Sequence, residues 1–356
     1  MDILAVIKLA SEKGASDLHL VASRPPLARI NGRLEPIPDM PSLTADEIDQ
    51  AFQQLVSEEE KASFEQYLEM DFGVTIPDIG RIRCNAAKQR GTTSLVIRLL
   101  PRFIPSIEEL GLPEVCKDLV LRPRGLVIVS GPTGSGKSTT LAAMINYLNS
   151  AADRHVVTIE DPIENIYTSD RCTITQRELG TDTRSFAEAL RRVLRQDPDV
   201  ILVGEMRDLE TASAVLTLAE TGHLVLTTGH APSAPQALER IIDLFPPHER
   251  ATTQARLASL LNGILCQVLV PKADGSGRIA AIEVMLANPA IRNGIREGKI
   301  HHLPNAIITQ AKAGMILLDN ALVNLQRRGL ITSKSVFDFC NNPEEVAKLM
   351  DGGMHD

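Results

Sequence analysis

Apolar positions along this chain follow two periods, and the change from one to the other divides it. In the first hundred residues, short runs predict strands: "DLHLVAS" (17–23) and "PLARING" (26–32), with a turn at Asn31–Gly32. "DFGVTI", "GRIRCNAAKQ" and "TSLVIRLL" then predict an antiparallel run with a turn at 77–80. Ile3, Leu4, Ile7 and Ala10 share a face of an opening helix, and residues 44–68 read as further helices. These elements predict a small α+β domain over 1–100. The next stretch, 101–113, carries three prolines and reads as a linker. From Gly125 the pattern becomes strand, loop, helix, repeated: "GLVIVS", "HVVTIE", "PDVILVG" and "GHLVLTTG" are continuous apolar runs separated by helical segments such as "SFAEALRRVLRQ". Such runs predict a mostly parallel sheet buried on both faces, within an α/β domain over 114–356. After about residue 246 helices dominate, interrupted by a hairpin of "ILCQVLV" and "RIAAIEVML" around 274–277.

Composition narrows the classes. The chain has 356 residues, of which 44% are hydrophobic, enough for about two domains with real cores. Its net charge of −8 argues against a general nucleic-acid binder. The absence of Trp and an aromatic content of 3% leave few stacking platforms for single strands. Five cysteines (Cys84, Cys116, Cys172, Cys266 and Cys340) are scattered, with no C-x-x-C pair, which suits reduced, buried thiols in a cytoplasm. The opening "MDILAVIKLA" carries Asp2 and no basic region before its apolar run, so it is not expected to be a leader. Nothing reaches the roughly 20 apolar residues of a membrane span.

The segment "GPTGSGKST" matches G-x-x-x-x-G-K-[ST], with an apolar strand before it and a helical run after it. Gly131, Pro132, Thr133, Gly134, Ser135, Gly136, Lys137, Ser138 and Thr139 are therefore the expected nucleotide contacts. Glycines let main-chain N–H groups turn inward around phosphate oxygens, and the helix N-terminus favours an anion. Lys137 is expected at the β- and γ-phosphates, and the Ser138 hydroxyl on Mg²⁺. The ligand pair so implied is ATP with magnesium.

Acids follow two strands: Glu160 and Asp161, with Glu164 a few residues on, and Glu205 after "VILVG". Ligands of open α/β sheets sit at the carboxyl ends of strands. One of these carboxylates would orient the attacking water and another would hold Mg²⁺, with Glu205 and Glu160 as metal candidates beside Ser138; Asp161 serves equally well as a turn starter. His230 follows another strand, where a γ-phosphate sensor would sit. His223 precedes that strand, and His301 and His302 read as surface residues. Arg81 and Arg83 share a face of one strand, with Arg98 near by in sequence. They read either as a solvated strand or as arginine fingers reaching a neighbouring subunit's ATP. Arg191, Arg195 and Arg207 flank the Glu205 strand and are candidates within the same chain.

Taken together, "GPTGSGKSTT", "VVTIEDPIE", "DPDVILVGEMRD" and "ETGHLVLTTGHAPSAPQALERIIDLFP" resemble, in order and spacing, the P-loop, Asp box, Walker B-like and His box of the secretion ATPases. The likeness is strongest to the type IV pilus retraction ATPases, the PilT-like branch. It implies a RecA-like ATPase domain with a PAS-like N-terminal domain, carried by "ASDLHLVASRPPLARINGRL", and a helical C-terminal region. It implies glutamate, not aspartate, at the Glu205 position. It further implies a cytoplasmic homohexamer at the inner face of the membrane, with ATP between subunits, acting on a platform protein and alongside paralogous pilus ATPases. "AIRNGIRE" resembles the family's retraction element, with Gly294 where leucine is usual, which would remove an apolar contact; "TTGHAPSA" replaces the more usual T-L-H-T-T-S-A. The extension and secretion motors usually carry a four-cysteine metal module and a longer N-terminus, neither evident here. Two other classes share the loop and the sheet: an accessory nucleotide-binding subunit of a pilus or secretion system, and a RecA-like nucleic-acid motor.

Overall fold

The computed structural model describes residues 1–351 apart from Asn31, Asp78, Pro101 and Arg102. The turns expected at Asn31–Gly32 and at 77–80, and the first residues of the expected linker, therefore lie partly outside the described residues. The chain divides into two compact units, Met1–Phe103 with Glu164–Ile166, and Ile104–Ile163 with Tyr167–Asp356.

In the first unit, β1 (Asp17–Leu20), β2 (Leu27–Ile30), β3 (Arg33–Pro36), β4 (Glu69–Ile76), β5 (Gly80–Gln89) and β6 (Thr92–Leu99) form one sheet in the order β3-β2-β1-β6-β5-β4. Every neighbouring pair is antiparallel. Alternation puts Leu18, Leu20, Ile82, Cys84, Ala86, Leu95 and Ile97 into one core with Ile7, Ile48, Phe52 and Phe64 of the helices. The helices start where their caps are: Asp2 accepts from the Leu4 and Ala5 amides, and Thr44–Glu47 and Ser57–Glu60 form capping boxes. The buried face of the first helix is Ile3, Val6, Ile7 and Ala10, which corrects the expected inclusion of Leu4. Positions three and four apart share a stripe, and Leu4, 44% exposed, falls outside it. The short β3 is not among the expected strands, because "RLEP" carries no alternation of apolar and polar residues; it is exposed at every position.

In the second unit, β7 (Gly125–Ser130), β8 (His155–Glu160), β9 (Thr173–Glu178), β10 (Val200–Val203), β11 (Leu224–Thr228), β12 (Leu261–Pro271) and β13 (Arg278–Leu286) take the order β13-β12-β7-β11-β10-β8-β9. All pairs are parallel except β12 with β13, the expected hairpin. Both faces are covered, which explains the unbroken apolar runs. Leu126 and Ile128 of β7 pack with the helices Phe186–Val193, Leu209–Glu220 and Ala234–Asp243. Val127 and Val129 pack with Lys137–Ala151 on the other side. Edge strand β9 is not among the expected strands, because "TITQRE" carries only one aliphatic residue. The α/β class and the helical C-terminal region are as expected; the last helices pack on the hairpin through Leu318, Leu322, Val336 and Val346. Ile107 and Leu112, read as linker, are buried in this unit with Cys116 and Leu119. Among the described residues no helix is long and apolar enough to cross a membrane.

Candidate active site

The loop after β7 has the backbone its sequence calls for. Gly131, Gly134 and Gly136 take φ values of 142°, 78° and 89°, a region that side chains disfavour. Gly136 is the N-cap of the helix Lys137–Ala151, whose first turn has no acidic residue and no side-chain cap to compete with an anion. Lys137 bends back so that Nζ donates to the carbonyls of Gly131 (2.8 Å) and Pro132 (3.1 Å). The Ser135 hydroxyl is buried without a partner, an orphan that a bound phosphate oxygen would satisfy. These residues fit a nucleotide phosphate chain. At Gly131 a Cβ would come within 2.2 Å of the main-chain carbonyl of Gln267, which cannot rotate away. Gly131→Ala is accordingly expected to eliminate nucleotide binding measured by calorimetry; near-normal affinity would show that the loop tolerates the shift.

β7, β11, β10 and β8 lie side by side and parallel, so their carboxyl ends share one edge. The phosphate loop, His230, Glu205 and Glu160 follow those ends in that spatial order. Glu205 is held at both oxygens: His230 Nε2 lies 2.7 Å from Oε1, and Arg207 Nε donates to Oε2 at 2.6 Å. The hydrogen bond to Glu205 pushes the Arg207 pKa further up, so the guanidinium stays charged. The backbone before Glu205 is pinned as well, with Gly204 donating to the Ile159 carbonyl and accepting from the Thr228 hydroxyl at 2.5 Å. A carboxylate so held, with its side chain 18% exposed, is a fixed proton acceptor at the strand edge. Glu160 Oε1 accepts from the Thr158 hydroxyl (2.7 Å) and the Gln176 amide (3.4 Å). Asp161 is exposed.

The other expected residues lie on other elements. Glu164 belongs to the short segment that clusters with the first unit. There, cross-strand register places Arg83 beside Arg98, Arg98 beside Asp17, and Asp17 beside Arg29, with Arg81 two residues along the same face. Arg98 Nε donates to Asp17 at 2.9 Å. Burial opposes ionisation of Asp17, but hydrogen bonds from Arg98 and Ser16 prevail and lower its pKa. The Arg81 guanidinium lies over Gly73. Arg191 pairs with Glu210. His223, at the far end of β11, faces the Leu218 carbonyl and the Thr221 hydroxyl, and so closes a helix end. His301 and His302 are exposed, with ring centroids 4.2 Å apart and the planes tilted by 40°.

The sequence departures have local answers. A Cβ on Gly294 would stand 2.7 Å from Leu303 Cδ2, so Leu303 occupies the space next to this glycine. Arg292 of the same helix, Pro289–Arg296, donates to the Ala258, Ser259 and Leu261 carbonyls and closes the helix Arg250–Leu260. Gly229 lets the backbone pass close to Ser130, whose hydroxyl donates to the Ala231 carbonyl at 2.7 Å.

Several residues escaped sequence reading. A cleft of about 290 Å³ opens beside Gly136 and Thr139, with Leu110, Leu112, Leu269 and Ile279 among its walls. Its apolar walls come from the stretch read as linker and from the hairpin, far apart in sequence. Glu178, buried, accepts from the Ile163 amide and fixes the chain after β8.

Residues 47–326 match the sequence family described as Type II/IV secretion system protein. The chain is 44% identical to the type IV pilus retraction ATPase PilT of Pseudomonas aeruginosa, over 97% of this chain and 99% of that one. It is 41% identical to the type IV pilus ATPase PilU of the same organism, over 98% and 91%. A crystal structure of the pilus retraction motor PilT with bound ADP matches with a TM-score of 0.92 at 42% identity, covering 98% of this chain and 99% of that one. With the phosphate loop and the clamped glutamate on one sheet edge, this chain belongs to the type II/IV secretion system protein family.

Proposed function

We propose that this chain is an ATP-hydrolysing motor for type IV pilus retraction. The observation that carries the reading is the juxtaposition, on one sheet edge, of an anion-ready loop with a glutamate oriented at both oxygens. The near full-length likeness to a retraction ATPase supports the choice of work it drives. Residues 131–139 hold the triphosphate, and the apolar cleft beside Gly136 takes the base. Ser138, Glu160 and Glu205 are the residues that would hold Mg²⁺, which would supply charge neutralisation for the phosphates. Glu205 acts as base, and His230 orients it and senses the γ-phosphate. In this reading the chain forms a homohexamer at the inner face of the cytoplasmic membrane and works on a platform protein. The PAS-like unit of one subunit presents Arg81, Arg83 and Arg98 to its neighbour's ATP.

One second reading remains, an accessory nucleotide-binding subunit that does not itself hydrolyse ATP, for which the phosphate loop alone would suffice. Hydrolysis by the purified protein separates the two. Magnesium-dependent phosphate release well above a Lys137→Met control is expected. A rate equal to that control would remove the motor reading and leave the accessory one.

A further inference from the structure

β12 runs parallel to β7, and the last pair in register is Cys266 with Ser130. The next residue, Gln267, thus comes alongside the start of the phosphate loop. It is 2% exposed and is a polar side chain that the catalytic scheme above does not use. Its Nε2 donates to the Ser135 carbonyl at 2.6 Å, and its Oε1 accepts from the Thr140 hydroxyl at 2.8 Å. The assignment of the two carboxamide ends follows from the partners, because a carbonyl can only accept. The main-chain carbonyl of Gln267 abuts Gly131, and its Nε2 would lie 3.1 Å from a Cβ at Gly136. One residue therefore touches both ends of the loop and the first turn of the helix behind it.

The Ser135 carbonyl belongs to the peptide whose N–H is that of Gly136. In a trans peptide the C=O and N–H point in opposite directions. Drawing the carbonyl towards β12 turns the Gly136 N–H away from β12, towards the inside of the loop, where successive N–H groups make an anion site. We propose that Gln267 is a positioning residue for the nucleotide: by holding the Ser135 carbonyl it fixes the Gly136 amide in the orientation that receives phosphate. This rests on the reading that the loop binds ATP. The Thr140 hydroxyl in turn fixes which way the carboxamide faces, so the two bonds have unequal weight.

The test uses the full chain, with calorimetry of Mg-ATP and steady-state hydrolysis. Gln267→Met keeps the shape and loses both bonds; about a tenfold rise in Kd and KM is expected, with kcat changed less than threefold. Gln267→Glu keeps an acceptor for Thr140 but sets a carboxylate against the Ser135 carbonyl; a rise of 30-fold or more is expected. Thr140→Val leaves the Ser135 bond and is expected to raise KM about threefold. A residue that merely fills the core would lower Tm in all three without this graded effect on affinity. Wild-type binding together with Gln267→Glu within twofold of it would overturn the positioning role alone. No wild-type binding would overturn the ATP reading and this role with it. Should neither glutamine variant fold, an unchanged KM in Thr140→Val would overturn the role.

Discussion

Glu205→Gln is expected to lower kcat for ATP by about 10²- to 10⁴-fold, the usual span for losing a general base, with nucleotide affinity little changed. The neutral amide keeps the size of the side chain but accepts a proton poorly. It also disturbs the clamp: one carboxylate oxygen faces His230 and the other faces Arg207, so an amide must turn its NH₂ towards one of those partners. Affinity is retained because the phosphate contacts come from the loop after β7, two strands away in the order β7-β11-β10. Steady-state kinetics alongside calorimetry reads both quantities. A variant that turns over at the wild-type rate would assign the base elsewhere, with Glu160 the next strand-end carboxylate.

Lys137→Met is expected to weaken Mg-ATP binding on the order of 10²-fold and to leave no measurable hydrolysis. In this structure the ammonium rests on the carbonyls of Gly131 and Pro132, within the loop itself. A short rotation exchanges those carbonyls for phosphate oxygens, and a charged hydrogen bond of that kind contributes about 1.5–3 kcal/mol, up to roughly 150-fold in affinity. Methionine preserves the buried stem, so the fold should survive and Tm should fall little. The loss of turnover follows because the same charge is needed where negative charge develops on the transferring phosphoryl group. Binding within threefold of wild type would place the phosphates outside this loop.

These two predictions draw on different amounts of the fold. The phosphate loop was legible because its chemistry is local: glycines at fixed spacing, one lysine, and a strand-to-helix context that any parallel sheet supplies. The strand ends were legible for a related reason. Parallel strands buried on both faces read as unbroken apolar runs, and whatever follows them must lie on one edge. What the clamp on Glu205 required was different. His230 is 25 residues further on, and only the neighbouring positions of β10 and β11 bring its ring to the carboxylate.

Other features were out of reach for the same reason. Ile107 and Leu112 lie in a proline-bounded stretch that reads as linker, yet they are core residues because the second unit offers them an apolar seat. Leu303 fills the place above Gly294 nine residues away across a chain reversal, so a missing side chain at one position is supplied from another. Sheet register also sets Arg98 beside Asp17, a partner far earlier in the chain that no local spacing marks.

By itself, then, the amino-acid order determined most of the elements, the α/β class, the glycine-rich loop and the set of residues at the strand tips, because each depends on periodicity or on a few adjacent residues. Tertiary structure alone decided which of those residues touch, which oxygen each donor takes, and that Gln267 braces a loop more than 130 positions earlier. Such contacts depend on strand order and register, which are set by how whole layers bury their faces and not by any local spacing.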